Sequence, residues 1–336
     1  MRQWILGLAS LGWTLLVQTA VLADPVSTSS FLPDSLLARS KAVQFDLVLG
    51  RITVTAIRLG PNRSQATGDK ESQRTETLSL GLQQQVPTVR YEMVDSQGKL
   101  IVDFSRSGDF LLHHVPAENE PRAEVSLQQP KSGALTLTTI VGGKRHELSA
   151  SSLWHLWLEH PTLCREILTP LLEVLGPSFR LADDVDEVRQ HLLRRASIGT
   201  IPDFHRVNEL VLQLSSREFM RRQAAERELR AMGCAIVPHL QALDSRELDA
   251  EQRQRLHAII NGVRSPKSDT PERVAMWLTA DISTWLILAA DSDQHLRQLA
   301  AEQLQRLLAR SIEYQPYADE PIRVEQLARL RKLILK

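Results

Sequence analysis

Two hydrophobic rhythms divide the chain. From residue 41 to about 150, apolar side chains recur at every second position: Phe45, Leu47 and Leu49, then Ile52, Val54 and Ala56. That interval puts alternate side chains on opposite faces of a strand, so it predicts sheets with one buried face. Runs at residues 77–82, 88–94, 99–104, 110–115, 123–127, 134–141 and 144–148 predict further strands. Asp95-Ser96-Gln97-Gly98 and Gly142-Gly143 supply hairpin turns, since glycine adopts positive φ without strain. Short strands joined by tight turns predict an antiparallel β-sandwich or a small barrel. Residues 61–74 are polar and aperiodic, which predicts a surface loop between strands.

Beyond residue 150 the interval lengthens to that of a helix. Ser151 or Ser152 is placed to cap a helix starting at Leu153, whose Trp154, Trp157 and Leu158 predict burial at the junction with the sheet; Pro161 ends it. The stretch 212–263 reads as three short amphipathic helices. Phe219, Ala225, Leu229 and Met232 share the inward face of the first, and Gly233 supplies its stop. Pro238 belongs in the first turn of the second, which turns Ile236, Val237, Leu240 and Leu243 inward. The third runs from about Ala250, with Leu256, Ile259, Ile260 and Val263 inward. The predicted class is therefore α+β: a β-rich domain over residues 41–150 and a helical domain over 151–336.

The helical text repeats. About 75 residues after the segment Arg221-Arg222-Gln223-Ala224-Ala225-Glu226, the chain reads Leu296-Arg297-Gln298-Leu299-Ala300-Ala301-Glu302. Glu325 to Ile334 parallels Glu251 to Ile260, and a fainter copy upstream aligns Pro170 with Pro238 and Glu187 with Glu251. Through Leu214, Ser216, Arg222, Ala225, Leu229, Gly233, Pro238, Leu240 and Leu243, the chain resembles HEAT-like helical repeat proteins of the degenerate, exported bacterial type. The resemblance covers roughly residues 151–336. It implies a stacked solenoid whose face binds another protein, with no shared active site. The last copy departs from the pattern, with Leu308 in place of the glycine and Glu313 in place of the proline.

Composition narrows the partners. Lysine plus arginine and aspartate plus glutamate number 40 each, so no positive surplus points to nucleic acid or an anionic membrane. Residues 1–23 have the form of a signal peptide. Arg2 precedes an uncharged apolar run, and Val21-Leu22-Ala23 offers small residues for cleavage before Asp24, which predicts a periplasmic or secreted protein. The alternative is an uncleaved anchor, the only membrane contact then expected. Residues 24–40 read as a linker. Cys164 and Cys234 suit either a disulfide or two buried thiols.

Candidate chemistry is sparse. His155 and Glu159 lie four residues apart on one predicted helix face and are the weak metal candidates, with His160 and Cys164 nearby. No cofactor motif, serine-nucleophile motif or phosphate-cradling loop occurs, and no catalytic residue is assigned. The charged set Arg217, Arg221, Arg222, Glu226 and Arg230 is the candidate binding rim. These features lead to the expectation of an exported, non-catalytic scaffold that binds another protein through a repeat face or the inter-domain junction. The alternative is an envelope-associated hydrolase with its site in the cleft between the β domain and the helices.

Overall fold

The period-two region folds into antiparallel strands and the remainder into helices, in a computed structural model that describes residues 35–57, 63–69, 74–83, 86–118, 120, 122–176, 179, 181–199, 201–243, 246–264 and 268–334. The expected signal peptide and most of the expected linker lie outside these residues. The described end of the linker carries a single helical turn, α1 (Leu36–Arg39). Strands β1 (Val43–Val48) and β2 (Arg51–Ala56) form a hairpin of their own. Strands β3 (Arg63–Asp69), β4 (Arg74–Gln83), β5 (Val86–Asp95), β6 (Gly98–Phe104), β7 (Phe110–Pro116), β8 (Glu124–Gln129), β9 (Leu135–Val141) and β10 (Lys144–Ala150) form one sheet. Each pairs with its sequence neighbour, so the sheet is an open meander with β3 and β10 at its edges; it does not close into a barrel.

Strand β3 lies inside residues 61–74, where the sequence predicts a loop. The reason is its position. Residues 64–68 are exposed on both faces, so no apolar alternation marks them, and the strand exists through its backbone pairing with β4.

One face of the meander is buried. Leu78, Tyr91, Val102, Leu112, Leu127 and Leu137, one from each of six successive strands, are almost fully covered. The β1–β2 hairpin covers part of this face, with Phe45 edge-on to Phe110 at 6.5 Å. The buried Gln129 amide fixes the hairpin: it accepts from the Ile52 N–H and donates to the Ile52 carbonyl, both at 2.9 Å. These bonds satisfy backbone groups that have no strand partner on that side. Glu76, also buried, accepts from the Tyr91 hydroxyl at 2.8 Å and the Leu36 N–H at 2.5 Å, which seats α1 on the sheet.

The helices follow from Ser152, the residue chosen by the fold as the cap. They are α2 (Leu153–Glu159), α3 (Pro161–Leu163), a π-helical turn (Cys164–Leu168), α4 (Thr169–Leu172), a 3-10 turn (Glu173–Leu175), α5 (Leu181–Ile198), α6 (Phe204–Gln213), α7 (Phe219–Ala231), a 3-10 turn (Gly233–Ile236), α8 (Val237–Ala242), α9 (Ala250–Arg264), α10 (Pro271–Thr279), α11 (Ile282–Leu288), α12 (Gln294–Leu308) and α13 (Glu320–Ile334). The middle copy of the repeated text keeps its punctuation: Gly233 has φ +67° and Pro238 stands in the first turn of α8. In the last copy, lacking both residues, α12 stops at Ala309 in the left-handed conformation, and residues 310–319 run irregularly to α13.

Two apolar cores result. The larger runs without interruption from the sheet through α2, α5, α10, α11 and α12 to Leu327 and Leu330 of α13. The smaller joins α6 to α9 through Val207, Leu210, Leu214, Ala225, Leu229, Ile236, Leu240, Leu256 and Ile259. Helices α5 and α10 pack directly on each other, so the α6–α9 unit folds to the side of their contact. Ile260 and Val263 are partly buried against both cores.

The short segment before α10 ties sheet to helices. Asp269 accepts from the Leu49 and Gly50 N–H groups at 2.7 Å each and from Trp154 Nε1 at 2.8 Å. Its own N–H donates to the Leu47 carbonyl, and the Leu153 N–H donates to the Gly50 carbonyl. Gly50 sits where a side chain cannot. Its φ is +68°, and a Cβ would fall 2.7 Å from the Cβ and Oγ of Ser152 and 2.8 Å from Cδ1 of Trp154. Gly50→Ala is therefore expected to destabilise the protein by about 3 kcal/mol, measured by urea unfolding. An unchanged midpoint would mean that the turn is free to move away from α2.

Candidate functional site

The histidine singled out by the sequence does meet an acid and a serine, in a chain of hydrogen bonds inside the sheet–helix junction. Ser152 accepts from the His155 N–H at 3.3 Å as the cap of α2, and its Oγ lies 2.7 Å from His155 Nδ1. On the other side of the ring, His155 Nε2 lies 2.8 Å from Asp281 Oδ2 and 3.3 Å from Thr284 Oγ1. Asp281 caps α11 and accepts from the N–H and the hydroxyl of Thr284, at 2.8 and 2.9 Å. A carboxylate only accepts, so Nε2 carries a proton toward Asp281, while Nδ1 faces the serine hydroxyl.

This order, serine to imidazole to acid, is the connectivity by which hydrolases activate a serine. The surroundings decide against that use. Ser152 is 1% exposed and His155 2%, and Trp277 lies edge-on to the imidazole at 5.6 Å. Trp154, Leu156 and Trp157 are buried beside them, so the junction is filled where a substrate carbonyl would have to reach Ser152 Oγ. The same Oγ is also occupied in capping α2. The arrangement satisfies polar groups at two helix starts and joins α2 to α11.

The electrostatics fit a structural link. Burial alone would raise the Asp281 carboxyl, but the hydrogen bond and charge of His155, with the two Thr284 donors, hold it below the usual carboxylate range. At Cys164 and Cys234, burial pushes both thiols up, and Cys164 Sγ points at the Leu156 carbonyl and Cys234 Sγ at that of Arg273. Both cysteines are free. Cys234 has Arg273 beside it, but burial outweighs that charge, and neither thiol has the open setting of a reactive one.

The weak metal pair is divided. His155 turns inward to Asp281, whereas Glu159 is exposed and faces Arg331 at 3.8 Å. Among the described residues, no group of three or more histidine, cysteine or acidic side chains is placed to hold a metal ion. A groove of about 360 Å3 opens instead on the outer face of the large sheet, over Gly81, beside Ser64, Ser79, Thr88, Arg90 and Asp103. Its Arg90 and Asp103 face each other at 3.4 Å, and no histidine or cysteine lines it to act as base or nucleophile.

The expected binding rim separates into two parts. Glu226 binds both Arg230 and Arg255 at 2.8 Å, bracing α7 against α9. Arg222 folds back to the Ser216 and Arg217 carbonyls at 2.7 and 3.2 Å. The side chains of Arg217 and Arg221 are exposed and make no hydrogen bond or ion pair among the described residues. Between them stands a departure from the helical pattern. Ala225 and Leu229 are buried as expected, but Phe219 is 58% exposed and its neighbour Met220 66%. The Arg222 guanidinium lies 5.7 Å from the Phe219 ring centre, so the ring packs on a cation where the pattern predicts core.

Asp281 and Asp269 were not among the residues singled out by sequence. Asp281 had a local signal, since Asp281-Ile282-Ser283-Thr284 is a cap followed by a helix. Asp269 had none, because its partners lie between 115 and 220 positions away in sequence. Compared with known proteins, the chain matches no family model, no curated protein and no solved structure.

Two measurements bear on the Ser152–His155–Asp281 chain. Because the folded Asp281 carboxyl titrates below its ordinary value, its stabilising contribution is complete at neutral pH and fades as pH falls through the folded pKa. Asp281→Asn should therefore lower stability at neutral pH by about 2 kcal/mol and flatten the acid limb of stability against pH. A parallel acid limb in the variant would place the titration elsewhere. A fluorophosphonate probe should leave the folded protein unlabelled; labelling that disappears in Ser152→Ala would restore the hydrolase reading.

Proposed function

We propose that the protein is an exported, non-catalytic interaction protein that binds another protein through a HEAT-like helical unit formed by α6 to α9. The observation that carries this reading is the exposed Phe219 and Met220 at the start of α7, on a unit that already buries a core of its own. Large apolar side chains held in water, next to the unpaired Arg217 and Arg221, have the composition of an interface anchor with a polar rim. The three related copies of helical text support a repeat architecture, and residues 1–23 support export.

The hydrolase alternative rests on the Ser152–His155–Asp281 chain. Its burial among Trp154, Trp157 and Trp277 weighs against it, because catalysis requires the serine oxygen to be reached.

A photo-crosslinking side chain placed at Met220 of the full chain should give a discrete adduct in the exported fraction. The same group at the exposed Gln128 on β8 should not. Reversing Arg217 and Arg221 to glutamate is expected to lower the Met220 adduct several-fold. Equal adducts at both positions, or none at Met220, would remove the α6–α9 unit as the binding face.

A further inference from the structure

The connection between α6 and α7 is prepared for a particular kind of partner. Phe219 is not a loose side chain. Arg222, bonded to the Ser216 and Arg217 carbonyls, places its guanidinium 5.7 Å from the ring centre, a contact that restricts the ring before anything binds. An aromatic side chain ordered in this way loses little freedom on association, which is how anchors contribute most to affinity. Leu212, in the last turn of α6, is 70% exposed on the other side of the five-residue connection.

The charges around this anchor are unbalanced in one direction. On the α6–α9 unit, Glu226 is neutralised by Arg230 and Arg255, Glu228 by Arg206, and Glu251 by Arg255 with Arg222 at 3.8 Å. Beside Phe219 and Met220, Arg217 and Arg221 remain without such partners, against Glu218 alone. The local field is therefore positive, over an apolar centre. A lipid surface fits poorly, since recognition of anionic membranes uses clusters of roughly four to eight basic residues and the exposed Glu218 offsets part of the positive charge here. A polypeptide carboxylate at each arginine, flanking a buried apolar side chain, matches the site's charge and size.

Resting on the interaction reading above, we propose that the α6–α7 end binds an acidic protein segment that carries a large apolar side chain, packed against Phe219 and Met220 and held by Arg217 and Arg221.

The test uses the full chain and a fluorescein-labelled amphipathic peptide of glutamate, leucine and alanine, read by anisotropy. Its counterpart with lysine for every glutamate and vesicles of phosphatidylglycerol serve as the competing probes. The acidic peptide should bind at least about tenfold more tightly than the basic one, and Phe219→Ala should weaken it by about tenfold or more. Arg217→Glu with Arg221→Glu should abolish or invert the preference, and added salt should weaken binding of the acidic peptide. Because these side chains are exposed, thermal melting of the variants should match the parent, which separates lost binding from lost folding. Equal binding of the two peptides, indifference to Phe219→Ala, or capture by vesicles without peptide binding would each overturn the proposal. A Met220 adduct in cells without any acidic preference would reject this partner chemistry alone. Absence of both adduct and binding would reject the interaction role as well.

Discussion

One carboxylate holds the two halves of this molecule in register. Asp269 gathers two backbone N–H groups from the β1–β2 turn and the indole N–H of Trp154, three donors that water cannot reach easily once α2 has packed. Donors left unpaired in such a place are costly, so the turn, the first junction helix and the segment before α10 have to settle together. Gly50 makes that approach possible by having no side chain. The continuous core that runs from sheet to helices follows from this contact, since α2 brings Trp154 and Trp157 onto the same side.

The His155 chain illustrates how connectivity alone misleads. Serine, imidazole and acid stand in the order familiar from hydrolysis, at ordinary hydrogen-bond distances. What they join, however, is the start of α2 to the start of α11. Each oxygen is already serving a helix terminus, and the space a substrate needs is taken by tryptophan. The low titration of Asp281 has the same origin: the group is held ionised by donors that belong to the fold. A depressed carboxyl can mark an active site, but a buried structural network produces it equally well.

Much of this architecture was legible in the chain. The period of two located each inner strand of the meander, and Gly233 and Pro238 marked the break between α7 and α8, because these residues act through local backbone geometry. Strand β3 was hidden for a physical reason: an edge with both faces in water has no pattern to show, and only its neighbour's hydrogen bonds define it. Phe219 was read as core because spacing records which side of a helix a residue is on, and not whether a second surface covers that side. Arg222, which lies beside the exposed ring, carries no distinguishing mark in a helix already rich in arginine. The pairing of Asp269 with the β1–β2 turn, and of His155 with Asp281, required folding distant segments together, which no local signal records.

The separate core of α6 to α9 has a further consequence. The unit packs largely on itself and meets the rest chiefly where residues 233–242 lie against α10, with Cys234 and Val237 in the larger core and Ile260 and Val263 partly buried against it. It can open as one cooperative element while the α5–α10 contact stays closed. Heat or mechanical pull would then be absorbed first by this lateral unit, sparing the meander. Such a layout also lets the lateral unit vary in length or sequence across evolutionary time with little disturbance to the body that carries it.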